Sequence, residues 1–447
     1  MKIFGTDGIR GDSSKFPFDN STLNIIGRSI AEVLGVANKR VLVIRDTRES
    51  GKRIQTKLSE GMSTIGVKIV FGSIIPTPAA SLLVKNGNYC AAVVISASHN
   101  PYTDNGIKIF NSNGYKLSNS IEEKIEAKIN KYITSKDVLP IKRISLKENS
   151  KLIKFYENFI IKNFSGKKLK GKTIILDCAH GASYKCAPRI FKKLSANVIS
   201  LNVNPDGKNI NLSCGALHPQ SLCKAVKEYN AFCGFAFDGD ADRLICVDEN
   251  GMIRDGDYFL SSMSIWLKNK KKLKNNILVS TVMANIGLSR ALKKEKIKVI
   301  SSKVGDRYVM KDMKKHKASL GGEQSGHFIF KDILATGDGI LSSVMILSAL
   351  SSTGKTMSEF MNVIEKFPQI LVHRKVMNKV PLEKLSNSYN LIKAYEKSLG
   401  SDGRVLVRYS GTENFLRVMV EGRDVDEIKN IAGSIADAVE KEISLQQ

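Results

Sequence analysis

Phe232-Cys233-Gly234-Phe235-Ala236-Phe237-Asp238-Gly239-Asp240-Ala241-Asp242-Arg243-Leu244-Ile245-Cys246-Val247 holds two apolar runs on either side of an acidic turn. Phe232 to Phe237 and Leu244 to Val247 both read as short strands, and Asn250-Gly251 then punctuates a hairpin. The carboxylates of Asp238, Asp240 and Asp242 alternate with the small residues Gly239 and Ala241. Just beyond a strand end, such a set can converge through oxygen on a hard divalent cation. An EF-hand is the competing arrangement, because Glu249 falls at the twelfth position counted from Asp238. Its sixth position, which should be Gly, is Arg243, and a strand follows where the calcium loop should continue. A purely structural role would leave like charges packed without compensation. The expectation is a metal site at the end of a β-strand.

Working outward, short β-branched runs alternate with amphipathic segments, the pattern of α/β units. Strand candidates include Arg40 to Ile44, Ala91 to Ile95, Thr173 to Leu176, Ile277 to Val282 and Lys298 to Ile300. Helical patterns cover Gly51 to Gly61 and Ile286 to Lys294, and Ser118 to Ser150 reads as a long helix plus a connection. The tail differs: strands at Val405 to Arg408 and Phe415 to Val420, then a helix from Asp424 to Ile443, predict a small α+β domain. A chain of 447 residues is too long for one core. Boundaries are expected near Ser118 to Ser150, Asn250-Gly251 and Phe367-Pro368, giving domains 1–155, 156–255, 256–370 and 371–447. No internal repeat and no low-complexity segment is visible.

Hydrophobic residues at 42% and charged residues at 25% describe a globular chain. The N-terminus reaches an acid before any apolar run develops, which predicts no signal peptide. Ile340 to Leu350 is too short and too serine-rich to span a bilayer. The seven Cys form no C-x-x-C pair, and several sit in strand-like runs as small hydrophobes, so a cytoplasmic location is expected. The net charge of +26 invites a nucleic-acid partner. The lysines are scattered rather than striped, there is one Trp, and no RNA- or DNA-binding signature is present. Phosphorylated metabolites fit the charge equally well, and neither nucleic acid nor membrane is expected as a partner.

Five further segments carry chemistry. Ile95-Ser96-Ala97-Ser98-His99-Asn100-Pro101 puts a serine and an imidazole on a bend after the strand Ala91 to Ile95. Alone it reads as a polar turn; with three carboxylates to supply a metal, Ser98 becomes a candidate carrier of a covalent phosphate. Gly321-Gly322-Glu323-Gln324-Ser325-Gly326-His327 could bring several hydrogen-bonding groups onto a polyhydroxylated ligand, or be a glycine-rich turn. Arg408-Tyr409-Ser410-Gly411-Thr412, with Arg417 on the next strand, could cradle an anion or be an ordinary strand–turn–strand. Lys303-Val304-Gly305-Asp306-Arg307 and Gly5-Thr6-Asp7-Gly8-Ile9-Arg10-Gly11 pair glycine with basic residues; each taken singly is a turn with a surface ion pair.

In this order, and together with Asp104-Asn105-Gly106-Ile107-Lys108, Asn204-Pro205-Asp206-Gly207, Cys214-Gly215-Ala216 and Ser410-Gly411-Thr412-Glu413, these segments resemble the α-D-phosphohexomutase family. The resemblance runs from Phe4 to Gly422, and Gln324 points to the branch acting on glucosamine phosphates, because hexose-acting relatives more often carry Met there. It implies an α/β fold of four domains around a central cleft, the first three of mixed α/β sheets with helices and the last a smaller α+β domain. Ser98 would be the phosphoserine, with Asp238, Asp240, Asp242 and the Ser98 phosphate holding one Mg²⁺. Arg243, Glu323, Ser325 and His327 would meet the sugar phosphate. Arg408, Ser410, Gly411, Thr412 and Arg417 would grip the phosphate that does not react. His99, Lys108, Arg10 and Lys303 are the candidates to assist catalysis or shuttle protons. The implied reaction interconverts glucosamine 6-phosphate and glucosamine 1-phosphate through glucosamine 1,6-bisphosphate, on the route to UDP-N-acetylglucosamine and cell-wall precursors. A homodimer is compatible with it.

Three positions depart from the pattern. Ala241 stands where Gly is also frequent, which an Ala-compatible backbone would tolerate, and Tyr409 and Asn414 stand where this branch usually has Pro. A mutase for glucose or mannose phosphates would share every catalytic residue. A non-catalytic sugar-phosphate or nucleic-acid-binding protein would have no use for a phosphoserine.

Overall fold

The computed structural model describes residues 2–5, 7–135, 140–141, 143–145, 147–167, 169–410 and 414–445. Contacts divide the chain into two compact units, Met1–Met283 with Lys296–Val363, and Ala284–Glu295 with Ile364–Gln447. The first contains three sheets. β1 (Phe4–Gly5), β2 (Gly8–Asp12), β3 (Arg40–Arg45), β4 (Lys68–Ile74), β5 (Ala91–Ile95) and β6 (Asp104–Asn111) are ordered β1-β2-β6-β5-β3-β4. β7 (Thr173–Asp177), β8 (Asn197–Leu201), β9 (Cys233–Phe237), β10 (Leu244–Val247) and β11 (Ile253–Arg254) are ordered β11-β10-β9-β7-β8. β12 (Ile277–Thr281), β13 (Lys298–Ser302), β14 (Leu320–Gly322) and β15 (Phe328–Phe330) are ordered β13-β12-β14-β15.

The three orders share one pattern. In each, a central strand pairs in parallel with the next two strands in sequence, and the last of these pairs antiparallel with the strand that follows it. The fold therefore repeats a topology although the sequence shows no repeat. Many apolar residues satisfy the same strand, so a topology can recur with no recurring residues. The repeat has a chemical consequence. The loops after β5, β9 and β14 lie at the carboxyl ends of parallel strands, where open α/β sheets place their ligands. These loops carry Ser98, the three aspartates, and Glu323 to His327.

The central strands read as continuous apolar runs because both faces are covered; every residue of β5, β9 and β10 is buried. Helices Asn20–Val33 and Gly51–Ser63 pack together on the first sheet through a pair of glycines. A Cβ at Gly27 would lie 2.0 Å from the Leu58 carbonyl oxygen, and one at Gly61 2.0 Å from that of Asn24. The apolar span Ile340 to Leu350 lies within helix Gly339–Thr353, buried from Gly339 to Leu350. Buried on all faces, with its serine hydroxyls bonded to its own backbone carbonyls, it serves as an internal helix. Among the described residues no helix is long and apolar enough to cross a membrane, and all seven cysteines are free. The segment expected as a long helix plus connection contains helix Asn119–Ser135.

In the second unit, β16 (Gln369–Lys375), β17 (Arg404–Tyr409) and β18 (Phe415–Glu421) form an antiparallel sheet ordered β16-β18-β17. Helices Ser386–Leu399 and Val425–Leu445 close its core. This is the small α+β domain that the tail predicts.

Gly27→Ala is expected to cost about 1–3 kcal/mol, since neither helix backbone can yield locally; the shift in the urea unfolding midpoint measures it. A second expectation concerns Asp338, the cap of the internal helix, which accepts from the Leu341 N–H at 2.9 Å and the Tyr156 hydroxyl at 2.9 Å. Burial raises its pKa from 3.8 to about 7. Between those values the folded chain keeps a proton that the unfolded chain has lost, so this group's contribution to stability falls as pH rises and levels off above about 7. Asp338→Asn keeps the cap acceptor and is expected to flatten that fall, measured by unfolding at about pH 5 and pH 8.

Candidate active site

Ser98 sits on the loop after β5, buried, with φ at +55°. Its hydroxyl donates to Asp238 Oδ2 at 2.6 Å and lies 3.3 Å from His99 Nδ1. The aspartate loop reaches this point because β9 and β10 form a tight antiparallel pair, with Phe237 opposite Leu244, that must turn within Asp238–Arg243. Gly239 has a steric reason: a Cβ there would lie 2.6 Å from the Ser98 carbonyl oxygen. Ala241 is held at φ +58°, a left-handed conformation that disfavours alanine. The backbone is thus a glycine-type one, and the expected tolerance for Ala is a strain of about 1–2 kcal/mol that the surrounding loop holds in place.

Each of Asp238, Asp240 and Asp242 offers an oxygen within 4.8 Å of the others, and all three are buried. Asp240 Oδ2 accepts from the Thr77 hydroxyl at 2.6 Å and from Lys108 Nζ at 2.8 Å. Asp240 Oδ1 and Asp242 Oδ1 are buried with no hydrogen-bond partner among the described residues. Orphaned carboxylate oxygens are costly unless a cation meets them, so this donor set fits a hard divalent ion. Burial, then the Asp242 and Asp240 charges, hold Asp238 well above the usual carboxylate range. Burial also works against ionised Asp242, but Lys108 and His327 outweigh it and hold that group well below. Without a metal, the loop sets one reluctant acid, Asp238, beside one strong one, Asp242.

Lys108, on β6 opposite Val94, is the buried counter-charge. Its ammonium lies 2.8 Å from Asp240, 3.4 Å from Asp242 and 3.5 Å from Asp7. Burial disfavours its charge, yet these carboxylates raise its pKa. Asp7 also pairs with Arg10 and Lys116. Lys116 reaches Asp306 at 2.5 Å, Asp306 lies 3.8 Å from His327 Nε2, and His327 Nδ1 lies 3.7 Å from Asp242. These contacts close a ring through Lys108, Asp7, Lys116, Asp306, His327 and Asp242, drawing on residues from all three sheet segments. Asp7, Lys116, Asp306 and Thr77 were not singled out by sequence reasoning. Lysines and aspartates at ordinary spacing carry no local mark; only Asp7 and Asp306, inside glycine-rich loops, had one.

His99 is held at a pKa of about 4, by burial first and then by Arg243 and Arg10, so its imidazole is neutral near pH 7. Arg243 and Arg10 each keep a buried Nε without a partner among the described residues, which suits an incoming anion. Glu323 accepts from the Gly305 N–H at 3.3 Å, and burial raises its pKa. His327 Nε2 accepts from the Gly337 N–H at 3.2 Å, which in the neutral ring leaves the proton on Nδ1, facing Asp242. Ser325 and Lys303 are exposed, and no contact brings Lys303 to the triad among the described residues. Gln324 leans 3.5 Å from Asp255 rather than toward the carboxylates.

In the second unit, Arg408 and Arg417 are direct partners across β17 and β18. Like charges so placed repel; burial, then Arg417, lowers the Arg408 pKa. Arg417 Nε is buried without a partner among the described residues. An anion would relieve both. Ser410 is buried at the end of β17, its N–H donating to the Phe415 carbonyl at 2.7 Å. Gly411 and Thr412 lie outside the described residues. Tyr409 takes a regular ladder position opposite Leu416, and Asn414 accepts from the Val376 N–H at 2.8 Å, so neither position needs Pro here.

A serine against a buried carboxylate trio, in a fold of three like α/β segments and a small fourth, defines a phosphosugar mutase of the four-domain type. Four domain models described as phosphoglucomutase/phosphomannomutase match the chain: alpha/beta/alpha domain I at residues 1–136, domain II at 153–251, domain III at 255–367 and the C-terminal domain at 371–438. The chain belongs to this family, the α-D-phosphohexomutases. Among its curated relatives are the phosphoglucosamine mutases of Chlamydia trachomatis serovar D, 43% identical over 100% of this chain and 98% of that one, and of Myxococcus xanthus, 42% identical over the same shares. A phosphoglucomutase/phosphomannomutase family protein from Burkholderia thailandensis shares the fold with a TM-score of 0.82 at 24% identity, covering 98% of this chain and 97% of that one. Aspergillus fumigatus N-acetylphosphoglucosamine mutase, solved with GlcNAc-6P and magnesium, does so with a TM-score of 0.60 at 19% identity, over 90% and 82%.

Mg²⁺ or Mn²⁺ is expected to stabilise the protein by about 3 kcal/mol at a hundredfold excess over Kd. Asp240→Asn should lose most of that gain, read as the metal-dependent shift in unfolding temperature.

Proposed function

We propose that the protein is a phosphoglucosamine mutase, interconverting glucosamine 6-phosphate and glucosamine 1-phosphate in the making of UDP-N-acetylglucosamine. The observation that carries the reading is the 2.6 Å contact of the buried Ser98 hydroxyl with Asp238 inside an acidic trio with orphaned oxygens. The full-length relatives named for this activity support the choice of substrate. The four proposed domains divide the work: 1–155 carries the phosphoserine, 156–255 the metal loop, 256–370 the sugar contacts and 371–447 the phosphate grip.

In the working form Ser98 bears a phosphate. The free hydroxyl of the sugar phosphate takes the phosphoryl group as the bond to Ser98 Oγ breaks, giving glucosamine 1,6-bisphosphate, and the hydroxyl proton passes to a base. After the bisphosphate turns, Ser98 Oγ takes back the other phosphoryl group and the sugar oxygen left behind regains a proton. Asp238, Asp240 and Asp242 would hold Mg²⁺, which supplies charge neutralisation on the transferring phosphoryl oxygens. Lys108, with its charge fixed by carboxylates, and Arg10, whose buried Nε has no partner among the described residues, are assigned to electrostatic stabilisation. Neutral His99 is assigned to orienting Ser98 Oγ. Lys303 remains the candidate proton carrier, since its ammonium has no ion pair with a described residue and it lies two residues before Gly305, which bonds Glu323. Arg243, Glu323, Ser325 and His327 are assigned to the sugar and its reacting end. Arg408, Ser410, Gly411, Thr412 and Arg417 are assigned to the phosphate that does not react.

Ser98→Ala is expected to lower mutase turnover by about a thousandfold or more while the unfolding temperature stays within a few degrees. Intact mass should find one phosphate on the active wild type and none on the variant. Full activity in Ser98→Ala would sink the mechanism. A panel of glucosamine, glucose and mannose phosphates should rank the glucosamine pair first in kcat/KM, and a preference for either hexose would move the protein to another branch.

A further inference from the structure

Ser98 is bent into a backbone conformation that serine avoids, and the structure shows what holds it there. The Ser98 carbonyl oxygen accepts from Arg48 Nη2 at 2.9 Å and from Asn211 Nδ2 at 2.9 Å. The same two side chains also share the Asn100 carbonyl, at 2.8 and 3.1 Å. Arg48 Nη1 donates in addition to the carbonyls of Pro101 and Asp104. Its Nε donates to Asp46 Oδ2 at 2.9 Å, while Asp46 Oδ1 accepts the Arg48 N–H at 3.0 Å. Both side chains of this pair are wholly buried, 0% exposed, so the guanidinium cannot bind a sugar phosphate. Among the described residues its polar contacts are with Asp46 and with the backbone carbonyls of Ser98, Asn100, Pro101 and Asp104.

The two arms come from different segments. Arg48 follows β3 of the first sheet, and Asn211 lies between β8 and β9 of the second. Asn211 is itself left-handed, φ +60°, with its N–H on the Ala179 carbonyl at 2.9 Å. Gly239 closes the other side: a Cβ there would meet the Ser98 oxygen at 2.6 Å and Asn211 Nδ2 at 2.8 Å. A strained non-glycine residue persists only where its surroundings over-determine it. Here the surroundings are two charge- or amide-based donors on one carbonyl.

We propose that Arg48 and Asn211 are positioning residues forming a two-armed clamp on the Ser98 carbonyl, which keeps Ser98 left-handed and its Oγ aimed at Asp238. Because one arm belongs to each segment, the clamp makes the geometry of the phosphoryl carrier depend on the docking of the first segment on the second. The proposal rests on Ser98 being that carrier. A displacement of about 1 Å at a reacting atom costs on the order of a hundredfold in rate.

The test compares wild type, Asn211→Ala, Arg48→Lys and Arg48→Ala on glucosamine 1-phosphate, with the crystal structure of Asn211→Ala. Asn211→Ala and Arg48→Lys are each expected to lower kcat roughly tenfold to a hundredfold, with KM within about twofold and unfolding temperature within a few degrees. Free guanidinium should restore part of kcat to Arg48→Ala and nothing to Asn211→Ala. In the crystal, Ser98 of Asn211→Ala should leave the left-handed region. Wild-type kcat in Asn211→Ala, a loss that follows unfolding temperature and KM together, or an unmoved Ser98 would each overturn the clamp. Should Arg48→Ala fail to fold, Asn211→Ala and Arg48→Lys decide alone. A wild type without mutase turnover would instead sink the functional reading, while the conformation of Ser98 in Asn211→Ala would still decide the clamp.

Discussion

Buried negative charge at Asp238, Asp240 and Asp242 is the constraint around which the larger unit is arranged. Three carboxylates within 4.8 Å of one another cannot all ionise in a buried loop without cations. The protein meets part of that demand with an ion pair, the Lys108 ammonium brought in on β6 of the first sheet. It leaves the rest unmet at Asp240 Oδ1 and Asp242 Oδ1, which have no hydrogen-bond partner among the described residues. A fully compensated trio would have no use for a metal, and an uncompensated one would resist folding. Lys108 accordingly touches Asp240 and Asp242 but not Asp238, whose oxygens accept from the Ser98 hydroxyl and the Arg243 N–H instead.

The counter-charges have to come from elsewhere in the chain, and the repeated strand order makes that possible. Each α/β segment ends its run of parallel strands in a functional loop, so three loops of one topology can turn toward one another. The ring from Lys108 through Asp7, Lys116, Asp306 and His327 to Asp242 then ties the segments together. The same charges tune the site: they keep Asp242 ionised and Lys108 protonated, while burial, and after it the nearby guanidinium groups, keep His99 neutral.

Much of this was legible in the chain. The strand at Ala91 to Ile95 and the pair flanking Asp238–Arg243 announce themselves because apolar, β-branched runs of that length have few alternatives. The aspartates are conspicuous because like charges at close spacing demand an explanation. Arg48, Asn211, Thr77 and Lys116 were not legible, for the opposite reason. One arginine or asparagine in a polar loop has many ordinary uses, and its worth here lies in a carbonyl or carboxylate far along the chain. The left-handed turn at Ala241 was misjudged on the same account, since φ is set by the packing of the loop and not by the residue's own preference.

The sequence by itself determined the chemistry on offer: a serine after a buried strand, an oxygen-rich loop able to hold a metal, a pair of arginines in a terminal hairpin, and an α/β alternation able to carry them. Periodicity and charge spacing are local properties, and these features are local. Only the tertiary structure decided that Ser98 Oγ meets Asp238, that Lys108 rather than Lys303 neutralises the aspartates, and that Arg48 and Asn211 hold the serine's backbone. Those outcomes depend on long-range register and on burial, which raises the energetic stakes of every unpaired charge and so selects one set of partners from many that the sequence permits.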